Sequence, residues 1–216
     1  EAYMPGREVA VEGIVVEGEL QTLAVLDKPD PMEGPFFEET ILLLPSRLSD
    51  RVQREIVSCV QRSVAILGLD DGPIHAELRV DGENAALLEI APRSIGGRCS
   101  TILRFEPEAT LEDLILHHAL GMPIDEYSRA PGAAGVMMLP IPEAGVLRKV
   151  GGSQAALEIP GIEGLEITIP VGQKVVPLPE GNRYLGFLFA RAATSEQVEA
   201  ALRAAHARLD VKIEPS

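Results

Sequence analysis

Residues 74–93 read IHAELRVDGENAALLEIAPR, and this stretch is the most informative part of the sequence. Apolar and polar residues alternate on both sides of the turn signal Asp81-Gly82, which is typical of a β-hairpin. On the first strand, Glu77 falls on the polar face. On the second strand, we assign Ala86, Leu88 and Ile90 to the apolar face, and Glu89 lies on the other face.

Glu77 and Glu89 share one face of neighbouring strands if the apolar residues of the hairpin share one core. Directly opposed side chains point the same way, and a slip of one residue reverses all of them. A two-residue turn at Asp81-Gly82 would place Glu77 and Glu89 on opposite faces of the hairpin. We therefore predict a connection of three or five residues, or a β-bulge.

Two carboxylates in this arrangement repel each other unless a cation lies between them, and Mg²⁺ binds carboxylate and phosphate oxygens. Arg93 follows the second strand, and the backbone at Gly96 and Gly97 can approach an anion closely. The pattern favours a metal-nucleotide site. The alternative is a solvated face of a half-exposed sheet, with Arg93 in a surface ion pair.

Outward from this hairpin, the pattern predicts an α+β protein of two units with a boundary near residue 132. Ser49 and Gly68 fit the two ends of a helix with apolar residues at helical spacing, and Thr110 and Thr194 fit the starts of two others. After residue 132, short apolar runs separated by Gly or Pro indicate small β-structure. The predicted strands outside the hairpin are 9–16, 20–26, 40–44 and 211–213.

Composition limits the class of protein and its partners. The 216 residues are 46% hydrophobic and 24% charged, as in ordinary globular proteins. A formal charge of −14 disfavours nucleic acid and anionic membranes, and no apolar run is long enough for a membrane span. Cys59 and Cys99 form neither a zinc motif nor a disulfide framework, so we expect the cytoplasm.

His75-Ala76-Glu77 with Leu88-Glu89-Ile90-Ala91-Pro92-Arg93 resembles the signature of ATP-grasp enzymes. The start, Glu1-Ala2-Tyr3-Met4, resembles the interlobe hinge of that superfamily, and residues 137–187 resemble the closing domain of its L-amino-acid ligase branch. The resemblance implies an antiparallel ATP-grasp carboxyl-terminal lobe with packed helices (1–132) and a small α/β carboxyl-terminal domain (133–216).

The same resemblance implies an ATP-dependent carboxylate-amine ligase that acts through an acyl phosphate, with ATP and Mg²⁺ as cofactors. Glu77 and Glu89 would ligate Mg²⁺, Arg93 would steady the transferring phosphate, and Glu39 resembles a substrate-side acidic position. His75 is expected to bond a neighbour rather than to act in catalysis. The nucleoside contacts implied are adenine for Glu1, Ala2, Tyr3 and Met4, and ribose for Glu8.

The sequence departs from the family at Ala91, where many relatives have Asn, and this weakens the expected second metal position. An amino-terminal lobe with further phosphate contacts is also expected as a partner, and without it we expect little turnover. Two alternatives remain, a non-catalytic nucleotide-binding or assembly module and a biotin carboxylase-like subunit. The sequence leaves open whether the protein forms a homodimer.

Overall fold

The structure is a computed structural model that describes residues 3–31 and 39–215. Glu1 and Ala2, which the sequence assigned to the adenine, lie outside the described residues. The helices are α1 (Asp50–Leu67), α2 (Leu111–Ala119), α3 (Ser153–Leu157) and α4 (Ser195–His206), with a 3₁₀ turn at Cys99–Ile102. The strands are β1 (Arg7–Val16), β2 (Glu19–Asp27), β3 (Ile41–Leu44), β4 (Gly72–Asp81), β5 (Asn84–Ala91), β6 (Arg104–Glu106), β7 (Ala109–Thr110), β8 (Ser128–Arg129), β9 (Ala133–Leu139), β10 (Gly145–Gly151), β11 (Ile162–Ile167), β12 (Lys174–Val175), β13 (Gly186–Ala192) and β14 (Asp210–Glu214).

These elements form two compact units, residues 1–28 with 44–131, and residues 29–43 with 132–216. Antiparallel sheets with packed helices build both, so the predicted α+β class is confirmed. Residues 29–43 belong to the second unit although they precede most of the first in sequence. The functional boundary near residue 132 stays a prediction.

The first unit contains the strand order β2-β1-β4-β5, with α1 packed on one face. The Ser49 side chain accepts a hydrogen bond from the Val52 amide, and Gly68 adopts the left-handed conformation that ends the helix. The predicted ends of α1 are therefore confirmed. The apolar stripe of α1 lies against alternate residues of β1 and β4, and each fully buried aliphatic side chain stabilises the unit by roughly 1.5–3 kcal/mol.

The hairpin of β4 and β5 pairs Glu77 directly with Glu89, so the two side chains share one face of neighbouring strands, as the sequence predicted. Its loop has only two residues, Gly82 and Glu83, because Asp81 pairs with Asn84. The parity is restored by a register shift next to Glu77 and Leu78. The bulge that we predicted as one option is present, and the longer connection is not.

The bulge also corrects our assignment of faces on β5. Ala86 and Leu88 are exposed, whereas Leu87 and Ile90 pack against the core of the first unit. The extra residue shifts the alternation by one, so the apolar face predicted for Leu88 was wrong.

The second unit contains the strand order β11-β13-β9-β3, with α4 against it, and a smaller sheet of order β12-β10-β14. Thr194 and Gln197 form the predicted capping box of α4. At Gly135 on β9, an added Cβ would lie 2.7 Å from Val198 and 2.8 Å from Leu43. A glycine here lets the helix approach the sheet closely.

Two expectations about the chemistry of the chain concern its cysteines and its helices. Cys59 and Cys99 are both buried free thiols, in keeping with the absence of a predicted disulfide. Within residues 3–31 and 39–215, the helices are too short or too polar to traverse a lipid bilayer.

Candidate functional site

A layer of charged side chains covers the face of the first unit's sheet that points away from α1. Alternation along β1 places Glu8 and Glu12 on this face, and alternation along β4 places His75, Glu77 and Arg79 there. Strand pairing sets Glu8 opposite Arg79, and Glu12 opposite His75. Opposite charges thus meet across the two strands, as cross-strand pairing favours.

Lys28, one residue beyond β2, bridges two of these carboxylates. Its Nζ atom lies 2.7 Å from Glu8 Oε1 and 2.9 Å from Glu77 Oε1. The Lys28 side chain is 3% exposed and the Glu8 side chain 6%. Glu8 also pairs with Arg79, whose Nη2 lies 3.2 Å from Glu8 Oε2, so both oxygens of Glu8 contact cations.

His75 connects Glu12 to Glu77. Its Nδ1 is hydrogen-bonded to Glu12 Oε1, and its Nε2 lies 3.4 Å from Glu77 Oε1. The second oxygen of Glu12 accepts the Ile95 amide hydrogen at 3.1 Å. Glu12 is 1% exposed, so a buried carboxylate joins β4 to the loop that follows β5.

The charge states of these groups follow from their neighbours. Burial lowers the pKa of His75, but the hydrogen bonds and charges of Glu12 and Glu77 outweigh it and raise the pKa to about 9. The hydrogen bond from His75, with the charge of Lys28 and against the effect of burial, lowers the pKa of Glu77 to about 2. Burial raises the pKa of the Glu12 carboxyl and outweighs the lowering effect of the hydrogen bond and charge of His75.

Glu89 lies opposite Glu77 but in a more open position, because β5 is the outer strand and Glu89 is exposed. Arg93 is also exposed, and its Nη1 donates to the Ser94 carbonyl at 2.9 Å. An added Cβ at Gly96 meets nothing within 4 Å, and Gly97 has a φ of 65°. The loop therefore has open space at Gly96 and carries an exposed guanidinium at Arg93.

Arg79 joins this layer to the segment that the sequence assigned to the nucleoside. Its Nη1 donates to the Gly6 carbonyl at 2.9 Å, and its guanidinium carbon lies 5.8 Å from the centre of the Tyr3 ring. Tyr3 is exposed and Met4 is half-buried. Tyr3 thus lies beside Arg79, which is on the same face of the sheet as Glu8 and Glu77.

Glu39, which the sequence placed loosely on the substrate side, belongs to the second unit and is half-buried. The sequence analysis missed the roles of Lys28, Glu12 and Arg79. The sequence does carry a signal for Glu12. Glu8 and Glu12 interrupt a mostly apolar strand at positions four apart, and such positions share one face of a strand. Burial of these charges depends on partners far along the chain, which the strand pattern alone does not reveal.

The residues can hold a metal only together with a ligand that brings oxygens of its own. Within residues 3–31 and 39–215, no three His, Cys, Asp or Glu side chains are grouped so that they could bind a metal ion. Glu77 and Glu89 supply two carboxylates, which suits Mg²⁺, since Mg²⁺ commonly takes one or two carboxylates plus substrate phosphates. The donor set therefore fits magnesium carried by a nucleotide.

Two sequence families match the chain. Residues 1–102 match the ATP-grasp domain family, and residues 137–214 match the L-amino acid ligase C-terminal domain 2 family. The first match contains every charged residue of the layer described above.

Curated relatives are much longer than this chain. Carnosine synthase 1 of Gallus gallus is 36% identical over 161 residues, which cover 72% of this chain and 17% of that protein. An alanine-anticapsin ligase of Bacillus amyloliquefaciens is 36% identical over 89 residues, 41% of this chain and 18% of that protein. The chain thus spans less than a fifth of these two relatives.

Solved structures share the fold. An L-amino acid ligase from Bacillus licheniformis matches with a TM-score of 0.83 at 25% identity, over 98% of this chain and 53% of that one. A biotin carboxylase from Campylobacter jejuni matches with a TM-score of 0.72 at 15% identity, over 100% of this chain and 48% of that one. The second likeness shows the fold alone.

Proposed function

The chain belongs to the ATP-grasp superfamily, on its L-amino-acid ligase-like branch, and we propose that it forms the metal-binding part of an ATP-dependent carboxylate-amine ligase. The observation that carries the proposal is the direct pairing of Glu77 with Glu89 beside the open Arg93 loop. The ligase relatives and the closing domain at 137–214 support amino acids as the substrate class.

In the proposed reaction, a substrate carboxylate oxygen attacks the terminal phosphorus of ATP, and the bond to the bridging oxygen of ADP breaks. An amine nitrogen then attacks the carbonyl carbon of the acyl phosphate, phosphate leaves, and the amine loses a proton. Bound magnesium would neutralise phosphate charge. The protein's contribution is positioning and charge neutralisation, which dominate phosphoryl transfer.

Glu77 and Glu89 are the proposed metal ligands. The low pKa of Glu77 keeps this carboxylate ionised throughout the physiological range, as a metal ligand must be. Arg93 is proposed to contact the transferring phosphate, since a guanidinium can bind two phosphate oxygens at once. Ala91 offers no ligating oxygen, so water would complete that side of the metal shell.

Tyr3 and Met4, with Glu1 and Ala2, are proposed to line the adenine, and Glu8 to face the ribose. Glu8 already contacts Lys28 and Arg79, so a ribose hydroxyl would donate to a remaining lone pair of its carboxylate. The proposal assigns other phosphate contacts to an amino-terminal lobe that is not part of residues 1–216. We also propose that the protein is located in the cytoplasm.

A non-catalytic module of the same fold is the second candidate, and the missing oxygen at Ala91 favours it. Against it stand the two paired carboxylates, because Lys28 and His75 contact one oxygen of Glu77 and Glu89 is exposed, which leaves oxygens of both side chains available to a ligand. A biotin carboxylase-like role rests on a likeness of fold alone, and fold does not imply function.

The test is to measure the phosphate released from ATP by the full-length protein, amino-terminal lobe included, with each amino acid in turn. Hydroxylamine is present to trap an acyl phosphate. We expect release with a subset of amino acids, and a loss of roughly 100-fold or more in Glu77→Gln and Glu89→Gln, since metal ligation contributes several kcal/mol. Glu83→Gln is the matched control, because Glu83 lies in the same hairpin and pairs with exposed Arg51.

Tight ATP binding with no phosphate release under any amino acid would favour the non-catalytic module. Equal activity in wild type, Glu83→Gln and Glu89→Gln would exclude Glu89 from the metal site.

A further inference from the structure

The two oxygens of the Glu77 carboxylate have different surroundings. Oε1 accepts a hydrogen bond from Lys28 Nζ at 2.9 Å and lies 3.4 Å from His75 Nε2. Oε2 accepts no hydrogen bond from the part of the chain that the structure describes. One oxygen is therefore held from the protein side, and the other is open to a ligand.

The two groups that hold Oε1 are themselves fixed. Glu8 binds Lys28 at 2.7 Å, and Glu12 is hydrogen-bonded to His75. The side chains of Lys28 and His75 are 3% and 10% exposed, against 28% for Glu77. Because they are packed and paired, Lys28 and His75 lack the freedom to follow Glu77 into another rotamer. Glu77 is the member of the set that reaches solvent.

Glu12 extends the arrangement to the loop that carries Arg93. Its Oε1 contacts His75, while its Oε2 accepts from the Ile95 amide at 3.1 Å. Ile95 follows Arg93 by two residues. A single buried carboxylate thus connects the loop of the proposed phosphate contact to the histidine beside the proposed metal ligand.

We propose that His75 and Lys28 are positioning residues that aim Oε2 of Glu77 at the metal, with Glu12 setting the Arg93 loop relative to it. The inference rests on the proposed function, since it requires Glu77 to ligate the metal of a bound nucleotide. Residues that orient a metal ligand typically change metal affinity by about 10–100-fold when they are removed. A purely structural ion cluster would change stability instead.

Two substitutions of His75 separate these roles. The amide nitrogen of asparagine reaches about as far as Nδ1, so His75→Asn keeps a donor towards Glu12 and removes the contact with Glu77. The amide nitrogen of glutamine reaches about as far as Nε2, so His75→Gln keeps a donor towards Glu77. Asp27→Asn is the matched control, because Asp27 is a buried acid that binds Ser46 and Arg47 rather than Glu77.

The measurement is Mn²⁺ binding to the intact protein in the presence of ADP, followed by water-proton relaxation, with melting temperatures recorded for every variant. We expect His75→Asn to weaken Mn²⁺ binding by about 10–100-fold. His75→Gln should retain most of the affinity, and Asp27→Asn should bind Mn²⁺ as wild type does even where its melting temperature falls.

Equal losses in His75→Asn and His75→Gln, or no loss in either, would overturn the inference. Glu77→Gln distinguishes this failure from a failure of the proposed function. Lost Mn²⁺ binding in Glu77→Gln with unchanged His75 variants leaves the proposed function standing, whereas unchanged binding in Glu77→Gln refutes both. If His75→Asn does not fold, Lys28→Arg replaces it in the test. This substitution keeps the charge and moves the donor away from Oε1 of Glu77. Unchanged Mn²⁺ binding in Lys28→Arg would also overturn the inference.

Discussion

The sheets of the two units bury different kinds of side chain. In the first unit, the face away from α1 buries Glu8, Glu12, Lys28, His75 and Arg79, and Asp27 is buried near them. In the second unit, as far as the structure describes it, Ser195 is the one buried polar side chain, and the core is otherwise aliphatic and aromatic. The ion pair of Lys149 with Asp210 in the second unit lies at its surface.

Burying a charge is costly, and a buried ion pair often stabilises a protein no more than apolar residues of the same size would. The first unit therefore keeps its charges for a reason other than stability, and positioning of the proposed metal ligand supplies one. The buried residues described in the second unit carry no charge. Three predictions test this contrast, beginning with the largest expected effect.

Lys28→Met should lower the stability of the protein by about 3–5 kcal/mol, because it leaves Glu8 and Glu77 without their shared cation. Adding Glu8→Gln should recover part of this loss, since the net charge of the cluster is restored and the amide oxygen can still accept from Arg79. Urea unfolding at neutral pH measures both. Lys149→Met is the matched control in the second unit, where losing an exposed pair should change the stability little.

The contrast fails if the two Lys→Met variants lose the same stability. It also fails if the Glu8→Gln addition destabilises the protein further.

Leu188→Ala should cost roughly 2–5 kcal/mol, because Leu188 on β13 is fully buried and its removal leaves a cavity. For a chain of this size each kcal/mol corresponds to about 2–4 °C in melting temperature. The loss should leave nucleotide-dependent Mn²⁺ binding unchanged at temperatures where the variant is folded. Weaker Mn²⁺ binding in folded Leu188→Ala would mean that the second unit also shapes the metal site.

The smallest effect is a pH dependence centred on His75. Its pKa is raised from 6.5 to about 9 by Glu12 and Glu77, so folding favours the protonated ring. The stabilisation is complete below pH 6.5 and is lost as the pH rises towards 9. Wild type should melt a few degrees above His75→Gln at pH 6, at about 2–4 °C per kcal/mol.

That difference should shrink steadily by pH 9 in thermal unfolding followed by circular dichroism. A difference that grows with pH would show that His75 is held neutral, contrary to its two acidic neighbours.

Parts of the candidate site could be predicted because they depend on local periodicity. Alternation along residues 74–91 predicted that Glu77 and Glu89 share a face on neighbouring strands, and a bulge was one of the connections that this shared face required. The position of that bulge was not predictable, since Leu87 and Leu88 are equally apolar and only packing against α1 selects Leu87. The metal and nucleotide roles of these residues remain predictions.

The sequence by itself determined the α+β class, both ends of α1, the start of α4 and the shared face of Glu77 and Glu89, because periodicity, caps and turn residues act within a few positions. Only the tertiary structure decided that Glu8, Glu12 and Lys28 are buried, and that residues 29–43 join the second unit. Lys28 meets Glu77 across 49 positions, and Glu12 meets Ile95 across 83. Contacts over such distances form only when the strands have assembled, so no local pattern of residues encodes them.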